Sequence, residues 1–225
     1  EMCIRDRNML LMSYPQSTYT SVCRAATLRN TIRRIAVFDA VVGEWPMRVE
    51  HGFGPVWDAG SRVLVLGSVP SPKSREMRFY YGHPRNRFWP VMAAVFHDDG
   101  CLRECRDPGQ IVGLRRDFAL RHHMALWDVI ESCDIDGASD ASIRNAVPND
   151  LSPIIMRSKI AHVFTTGAKA AQLYRKLCVP LLRAHGLDGM PMTQLPSTSP
   201  ANAKADLPGL VEAYGCVARS VSQAS

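Results

Sequence analysis

The chain has 225 residues, 46% of them hydrophobic and 21% charged, enough for one well-buried core. No run of eighteen apolar residues occurs, so nothing in the sequence reads as a transmembrane helix. Lys and Arg number 27 against 21 Asp and Glu, a formal charge of +6 that suits a polyanionic partner and equally an ordinary basic protein.

The first 46 residues show no clean period, and "RNTIRRIAVF" is only weakly amphipathic. "EMCIRDR" resembles a translated sequencing adapter, and a targeting presequence fits the stretch only loosely. Residues 1–46 are therefore expected to be an extension that need not be native, with a single domain over 47–225 beginning at Met47.

From residue 61 the punctuation becomes regular. "RVLVLGS" (62–68) reads as a buried parallel strand with a loop at its carboxyl end. "RFWPVMAAVFH" (87–97) has a helical apolar face, and Pro90 fits if the helix begins near Asn86 or Arg87. "MALWDVI" (124–130) is a second strand and "NDLSPIIMRS" (149–158) a capped helix. "IAHVFTTG" (160–167) is a third strand, followed by a helix over 168–177. "PMTQLPSTSP" (191–200) is a fourth strand running into a Pro- and Ser-rich loop, before a last helix over 202–221 interrupted early by Pro208. Strands alternating with helices predict a three-layer α/β/α sandwich around a mostly parallel sheet. Ligands of such sheets sit at the carboxyl ends of the strands, so the loops GSVPS, ALWDV, TTGAK and LPSTSP are expected to line the site.

Seven cysteines, odd in number and scattered without a Cys-x-x-Cys pair, read as reduced thiols of a cytoplasmic protein. His97, Cys101 and Cys105 fall at spacings of four, with His122, His123 and Cys133 further on, but no fourth ligand is obvious and no metal is assigned. Walker, nucleophile-elbow and dinucleotide-binding patterns are all absent. What remains is "FYYGHPRNRFWPVM" (79–92), dense in aromatics, cations and one amide, and the Ser-rich loop after the fourth strand. Aromatic faces stack on nucleobases and short hydroxyls hold phosphates.

The order Gly67-Ser-Val-Pro, Tyr80-Tyr81-Gly-His83-Pro-Arg-Asn86-Arg-Phe-Trp89 and Leu195-Pro-Ser-Thr-Ser resembles the uracil-DNA glycosylase superfamily, over about residues 47 to 218. The branch it resembles most is the hypoxanthine-DNA (deoxyinosine) glycosylase group, whose first loop reads Gly-Ser-x-Pro; "ALWDVIESC", "AVPNDL" and "LPSTSPAN" are similar to that group as well. The resemblance implies a cytoplasmic, monomeric enzyme that acts on DNA containing deaminated bases, without metal or cofactor. The departure is Val69, which stands where mismatch glycosylases place a water-orienting Asn and the uracil-specific enzymes an Asp.

By the same resemblance Asn86 takes the catalytic part, orienting water or stabilising the sugar cation through its carbonyl, and Asp128 is a further candidate as electrostatic partner of the sugar cation. Tyr81 would stack on the flipped base, the amides around Ser68 and Val69 would meet its edge, and His83 would bond to the base or fix the loop. Ser197, Thr198 and Ser199, with Asn202 and Lys204, would hold DNA. Each has an alternative. Asn86 also reads as a helix cap, Tyr80 and Tyr81 as core or rim aromatics, Asp128 as a buried structural acid, and Ser197–Ser199 as a turn. Phe88 and Trp89 read as core. Three other functions stay open: a uracil- or mismatch-directed glycosylase, a catalytically silent lesion-binding module that Val69 favours, and an unrelated small-molecule α/β enzyme.

Overall fold

The apolar run VLVLG makes β2 (Val63–Gly67), a strand buried at every position. The computed structural model describes residues 47–103, 107–137 and 139–223. The expected extension over 1–46, and Cys105, lie outside the described residues. Before β2 comes β1 (Met47–Glu50). After it come α1 (Pro72–Met77), α2 (Phe88–Phe96), α3 (Pro108–Arg121), β3 (Met124–Asp128), β4 (Ile130–Ile135) and β5 (Arg144–Pro148). The chain closes with α4 (Ser152–Met156), β6 (His162–Thr166), α5 (Ala168–Leu173), a π-helical turn (Tyr174–Cys178), α6 (Val179–Arg183), β7 (Met192–Leu195) and α7 (Leu207–Gln223).

Strands β3, β2, β6 and β7 lie side by side in that order, all parallel. Side chains alternate across β2. Val63 and Val65 enter a core with α2, α3 and α7; Leu64 and Leu66 enter a second core with α4, α5 and the turn that follows it. This is the three-layer α/β/α sandwich, and each of its two cores contributes burial worth ~1.5–3 kcal/mol per large apolar side chain. The register brings Gly67, Asp128, Thr166 and Leu195 to the same carboxyl edge.

A second, antiparallel sheet, β1-β4-β5, is absent from the sequence expectations. The run 124–130, expected to be one strand, stops at Asp128. Val129 alone separates β3 from β4, and its N–H goes to Gly67 O, so the chain passes there from one sheet to the other. Helices α1 and α3 were not anticipated either. The expected helix over 202–221 begins only at Leu207, with Pro208 in its first turn rather than interrupting it. The helix expected over 168–177 widens into a π turn and resumes as α6, where Pro180 lacks the N–H an α-helical ladder needs.

Helix α2 begins at Phe88, one residue past the expected Asn86 or Arg87, with Pro90 in its first turn as expected. Phe88 and Trp89 are core residues, 0% and 1% exposed. His97 closes this helix in the left-handed conformation, and the Cys101 thiol, buried, points to Trp89 O. Among the described residues no three His, Cys, Asp or Glu side chains gather as a metal site requires, and no helix is long and apolar enough to cross a membrane.

Candidate active site

The carboxyl edge of the parallel sheet opens into a cavity of about 460 Å³. All four expected loops contribute: Ser68 and Val69 after β2, Asp128 at the end of β3, Thr166 at the end of β6 and Ser197 to Ser199 after β7. The segment 79–92 supplies Tyr80, Tyr81 and Asn86, and Gly137, Ser139 and Asp140, beyond β4, close a further side.

Asp128 is 5% exposed. Its Oδ2 lies 2.8 Å from His51 Nε2, and Nδ1 of the same ring lies 2.7 Å from Phe53 O. Asn149 donates its side-chain amide to Asp128 O at 2.9 Å. Gly67 is the only residue that fits beside this carboxyl, since a Cβ there would run into Asp128 Oδ1. Among the described residues Oδ1 has no hydrogen-bond partner, whereas Asp128 lines the cavity.

Tyr81 lines the cavity with one ring face covered. Phe88 stacks on it with centroids 3.7 Å apart and planes 13° apart, while Phe88 itself stays out of the cavity. The Tyr81 hydroxyl and Thr166 Oγ1 are 3.3 Å apart. Burial, with Asp128 adding to it, pushes that hydroxyl far above the usual phenol range. Tyr81 also has φ 52, a strained backbone for an aromatic residue and one that the loop must hold in place. Tyr80 is a core aromatic whose hydroxyl donates to Gly54 O.

Asn86 Oδ1 accepts the Phe88 N–H at 2.9 Å, so the side chain braces the start of α2. This bond fixes the orientation of the amide, because only the oxygen can accept. Nδ2 is left without an acceptor among the described residues, in a side chain that lines the cavity. His83 is not among the lining residues. Its Nδ1 accepts the Arg85 N–H at 3.1 Å and so pins the loop.

The N–H groups of Ser68 and Val69 have no acceptor among the described residues, and both residues face the cavity. The Ser68 hydroxyl donates to Asp140 Oδ2 at 2.8 Å. Asp140 is exposed at the rim, yet desolvation of its carboxyl in the cleft pushes the group up from the ordinary value. Ser68 and Lys169 oppose that push, and Asp128 adds to it. Arg75 lines the same region and donates to Pro70 O at 2.7 Å, tying the first loop to α1.

The loop after β7 is built on itself. Ser197 Oγ accepts the Ser199 N–H, Ser199 Oγ accepts the Ala201 N–H, and the Asn202 amide donates to Ser197 O. Thr198 is 2% exposed; Ser197 and Ser199 are half-buried, and Lys204 stands exposed outside the cavity. Arg87 holds the loop from the other side. Its guanidinium donates to Ser199 O at 2.8 Å, to Asn202 O at 2.9 Å and to Ala205 O, and its backbone N–H donates to Thr198 O.

The structure thus brings Ser68, Val69, Tyr81, Asn86, Asp128, Ser197, Thr198, Ser199 and Asn202 to one cavity, and leaves His83 and Lys204 outside its lining. His51, Arg75, Arg87 and Asp140 escaped the sequence reading. Arg87 stands inside the quoted segment, where its position beside Asn86 was the available signal. His51 and Asp140 carried none, being single polar residues in unremarked turns.

The profile of the Uracil DNA glycosylase superfamily matches residues 52–214. A Methanosarcina barkeri protein named hypoxanthine DNA glycosylase is 27% identical over 166 residues, 73% of this chain and 98% of that protein. A protein of the same name from Methanosarcina acetivorans is 29% identical over 157 residues, 69% of this chain and 90% of its own length. Among solved structures, a solution NMR structure of a candidate uracil DNA glycosylase from Methanosarcina acetivorans matches with TM-score 0.62 and 27% identity, over 78% of this chain and 99% of that one. The matched span covers most of both cores and every strand-end loop around the cavity, and the chain belongs to the uracil DNA glycosylase superfamily.

Proposed function

We propose that this chain is a monofunctional DNA glycosylase that releases a deaminated base, hypoxanthine foremost, in base-excision repair. The observation that carries the reading is the paired edge at the first loop. The free N–H groups of Ser68 and Val69 are donors, and Asp140, held by the Ser68 hydroxyl, is an acceptor beside them. Deamination turns an amino group into a carbonyl and places a hydrogen on the neighbouring ring nitrogen. Donor next to acceptor complements that new edge and mismatches the edge of adenine or cytosine. The names of both Methanosarcina relatives favour hypoxanthine among the deaminated bases.

In this reading the nucleotide flips out of the duplex and its base lies on Tyr81, which Phe88 supports from behind. The bond from C1′ to the base nitrogen breaks with its electron pair going to the base, and the Ser68 and Val69 amides offset the charge that develops there; a water then gives its hydroxide to C1′ and its proton to the departed base. Asp128 faces the sugar as cationic character builds on it. Asn86 Nδ2 donates toward the reacting nucleotide, since Oδ1 already accepts from Phe88. The Ser197–Asn202 loop, with Arg75 in the cavity wall and the exposed Lys204 two residues further along the chain, meets the backbone and fills the gap left in the stack.

The test is base release from duplexes holding a single deoxyinosine, uracil, xanthine or mismatched thymine, read as alkali-labile strand scission. Scission at deoxyinosine is expected. Scission at uracil alone overturns the hypoxanthine preference. Tight, salt-sensitive binding without scission would favour a silent lesion-binding module, the reading that an apolar Val69 in the cavity wall supports.

A further inference from the structure

We infer that His51 is a positioning residue of this site: it shares one buried proton with Asp128 and thereby holds the Asp128 carboxylate at the cavity floor with Oδ1 turned to the nucleotide. The inference rests on the glycosylase reading for its kinetic consequence and on geometry alone for the shared proton.

The proton count follows from the two contacts of the imidazole. Phe53 O can only accept, so Nδ1, 2.7 Å away, carries a hydrogen. Nε2 and Asp128 Oδ2 are 2.8 Å apart, a distance that two facing lone pairs do not sustain. A second hydrogen therefore sits between them. With that hydrogen on Nε2, Asp128 accepts it through Oδ2 and keeps Oδ1 for the cavity. Both side chains are buried, 4% and 7% exposed, where a charge persists only with such a partner.

The histidine cannot easily leave. Its backbone N–H donates to Glu131 O at 2.7 Å, and five residues on Val56 pairs with Leu126 of β3 in both directions. Phe53 and Tyr80 lie against the ring, with centroids 4.4 and 5.9 Å away. A second cavity, of about 470 Å³, borders His51 together with Glu50 and Glu131. The other titratable neighbours are on the Asp128 side. Tyr80 and Tyr81 are pushed far up by burial and stay neutral, and Asp140 is a carboxyl on the cavity wall.

The arrangement fixes a pH signature. Loss of the shared proton turns the Nε2 lone pair on Oδ2 and releases Asp128, so activity falls on the alkaline side. A further proton on Oδ1 removes the charge that faces the sugar, so activity falls on the acid side as well.

The experiment uses the full chain and measures single-turnover release of hypoxanthine from a deoxyinosine duplex across pH, for the native protein, His51→Gln and His51→Asn. Gln presents an amide N–H to Asp128 at every pH, so its profile should lose the alkaline limb and keep the acid limb. Asn keeps a donor for Phe53 O but not for Asp128, and should slow release on the order of 100-fold, measured at a temperature where melts show the variant fully folded. Nitrogen-15 NMR of the ring in the free protein should show both His51 nitrogens protonated at neutral pH. An unprotonated Nε2 overturns the shared proton whatever the kinetics. A His51→Gln profile lowered throughout but unchanged in shape overturns the positioning role. If the native protein releases no base from any duplex, the glycosylase reading fails and the kinetic role with it, while the NMR still decides the proton.

Discussion

The guanidinium of Arg87 donates to the main-chain carbonyl of Ser199 at 2.8 Å, joining the segment that carries Asn86 to the loop that follows the last strand. The same side chain also holds the carbonyls of Asn202 and Ala205, so one cation organises a loop that has no regular structure of its own. Its acceptors are all neutral carbonyls, which suits a planar fork with several donors and not a point charge.

Replacing Arg87 with Lys should therefore behave almost as a deletion. Lysine reaches one or two of those oxygens at most, and each charged hydrogen bond lost costs ~1.5–3 kcal/mol. The expected result is a melting temperature lower by about 3–24 °C for one or two bonds lost, with affinity for a lesion duplex reduced although the substitution leaves the charge unchanged. Thermal melts and a lesion-duplex titration at fixed salt measure both. An unchanged melting temperature would show that the loop is held by its own Ser197, Ser199 and Asn202 bonds.

Tyr81 makes a different kind of contribution. With Phe88 behind it, its ring presents a supported face to the cavity. Tyr81→Ala should weaken binding to a deoxyinosine duplex by ~1–3 kcal/mol, about 5- to 150-fold, and leave binding to undamaged DNA nearly unchanged. Tyr81→Phe keeps the ring, loses only the contact to Thr166, and should bind within about 10-fold of the native chain. Equal losses on damaged and undamaged DNA for the alanine variant would take Tyr81 out of the base pocket.

The fold was legible where the sequence is unambiguous. VLVLG, ALWD, HVFTT and the run before LPSTSP are short apolar strands with loops at one end, and the register gathers those loops as expected. The antiparallel sheet was not legible. Its strands are half exposed and carry mixed residues such as IESCDI, and the boundary between β3 and β4 is a single valine in the run MALWDVI. Helix α3 was hidden for the same reason, since its face is largely polar and only Phe118 and Ala119 are buried. His51 and Asp128 are 77 residues apart, and their pairing exists only because the segment before β2 lies along the edge of β3. Asp140 reaches the cavity on a loop of the sheet that the sequence concealed.

Asp140 should set the pH at which base discrimination fails. Its carboxyl is pushed up from the ordinary value, chiefly by desolvation. On acidification it therefore gains its proton earlier than an ordinary carboxylate, and the acceptor beside the Ser68 and Val69 amides disappears. Preference for deoxyinosine over deoxyadenosine duplexes should shrink as pH falls through that range. Asp140→Asn should show the reduced preference at every pH, because its amide can turn either a donor or an acceptor to the base. Competition binding with both duplexes between acid and neutral pH checks this; a preference that stays constant for the native chain removes Asp140 from base reading.

Asn86 carries two jobs that a pair of substitutions separates. Its Oδ1 holds the Phe88 N–H at the start of α2, and its Nδ2 is the group left for the nucleotide. Asn86→Ala removes both and should cost ~0.5–1.5 kcal/mol of stability through the lost bond to the Phe88 N–H. Asn86→Asp keeps an oxygen for Phe88 and puts an acceptor where the donor was. Its stability should stay near that of the native chain, while base release from a deoxyinosine duplex falls at least on the order of 100-fold, the scale of losing one aligned donor at a site of developing charge. Thermal melts alongside single-turnover release separate the two effects. If the aspartate variant retains native release rates, the amide nitrogen takes no part in the reaction and Asn86 serves the helix alone.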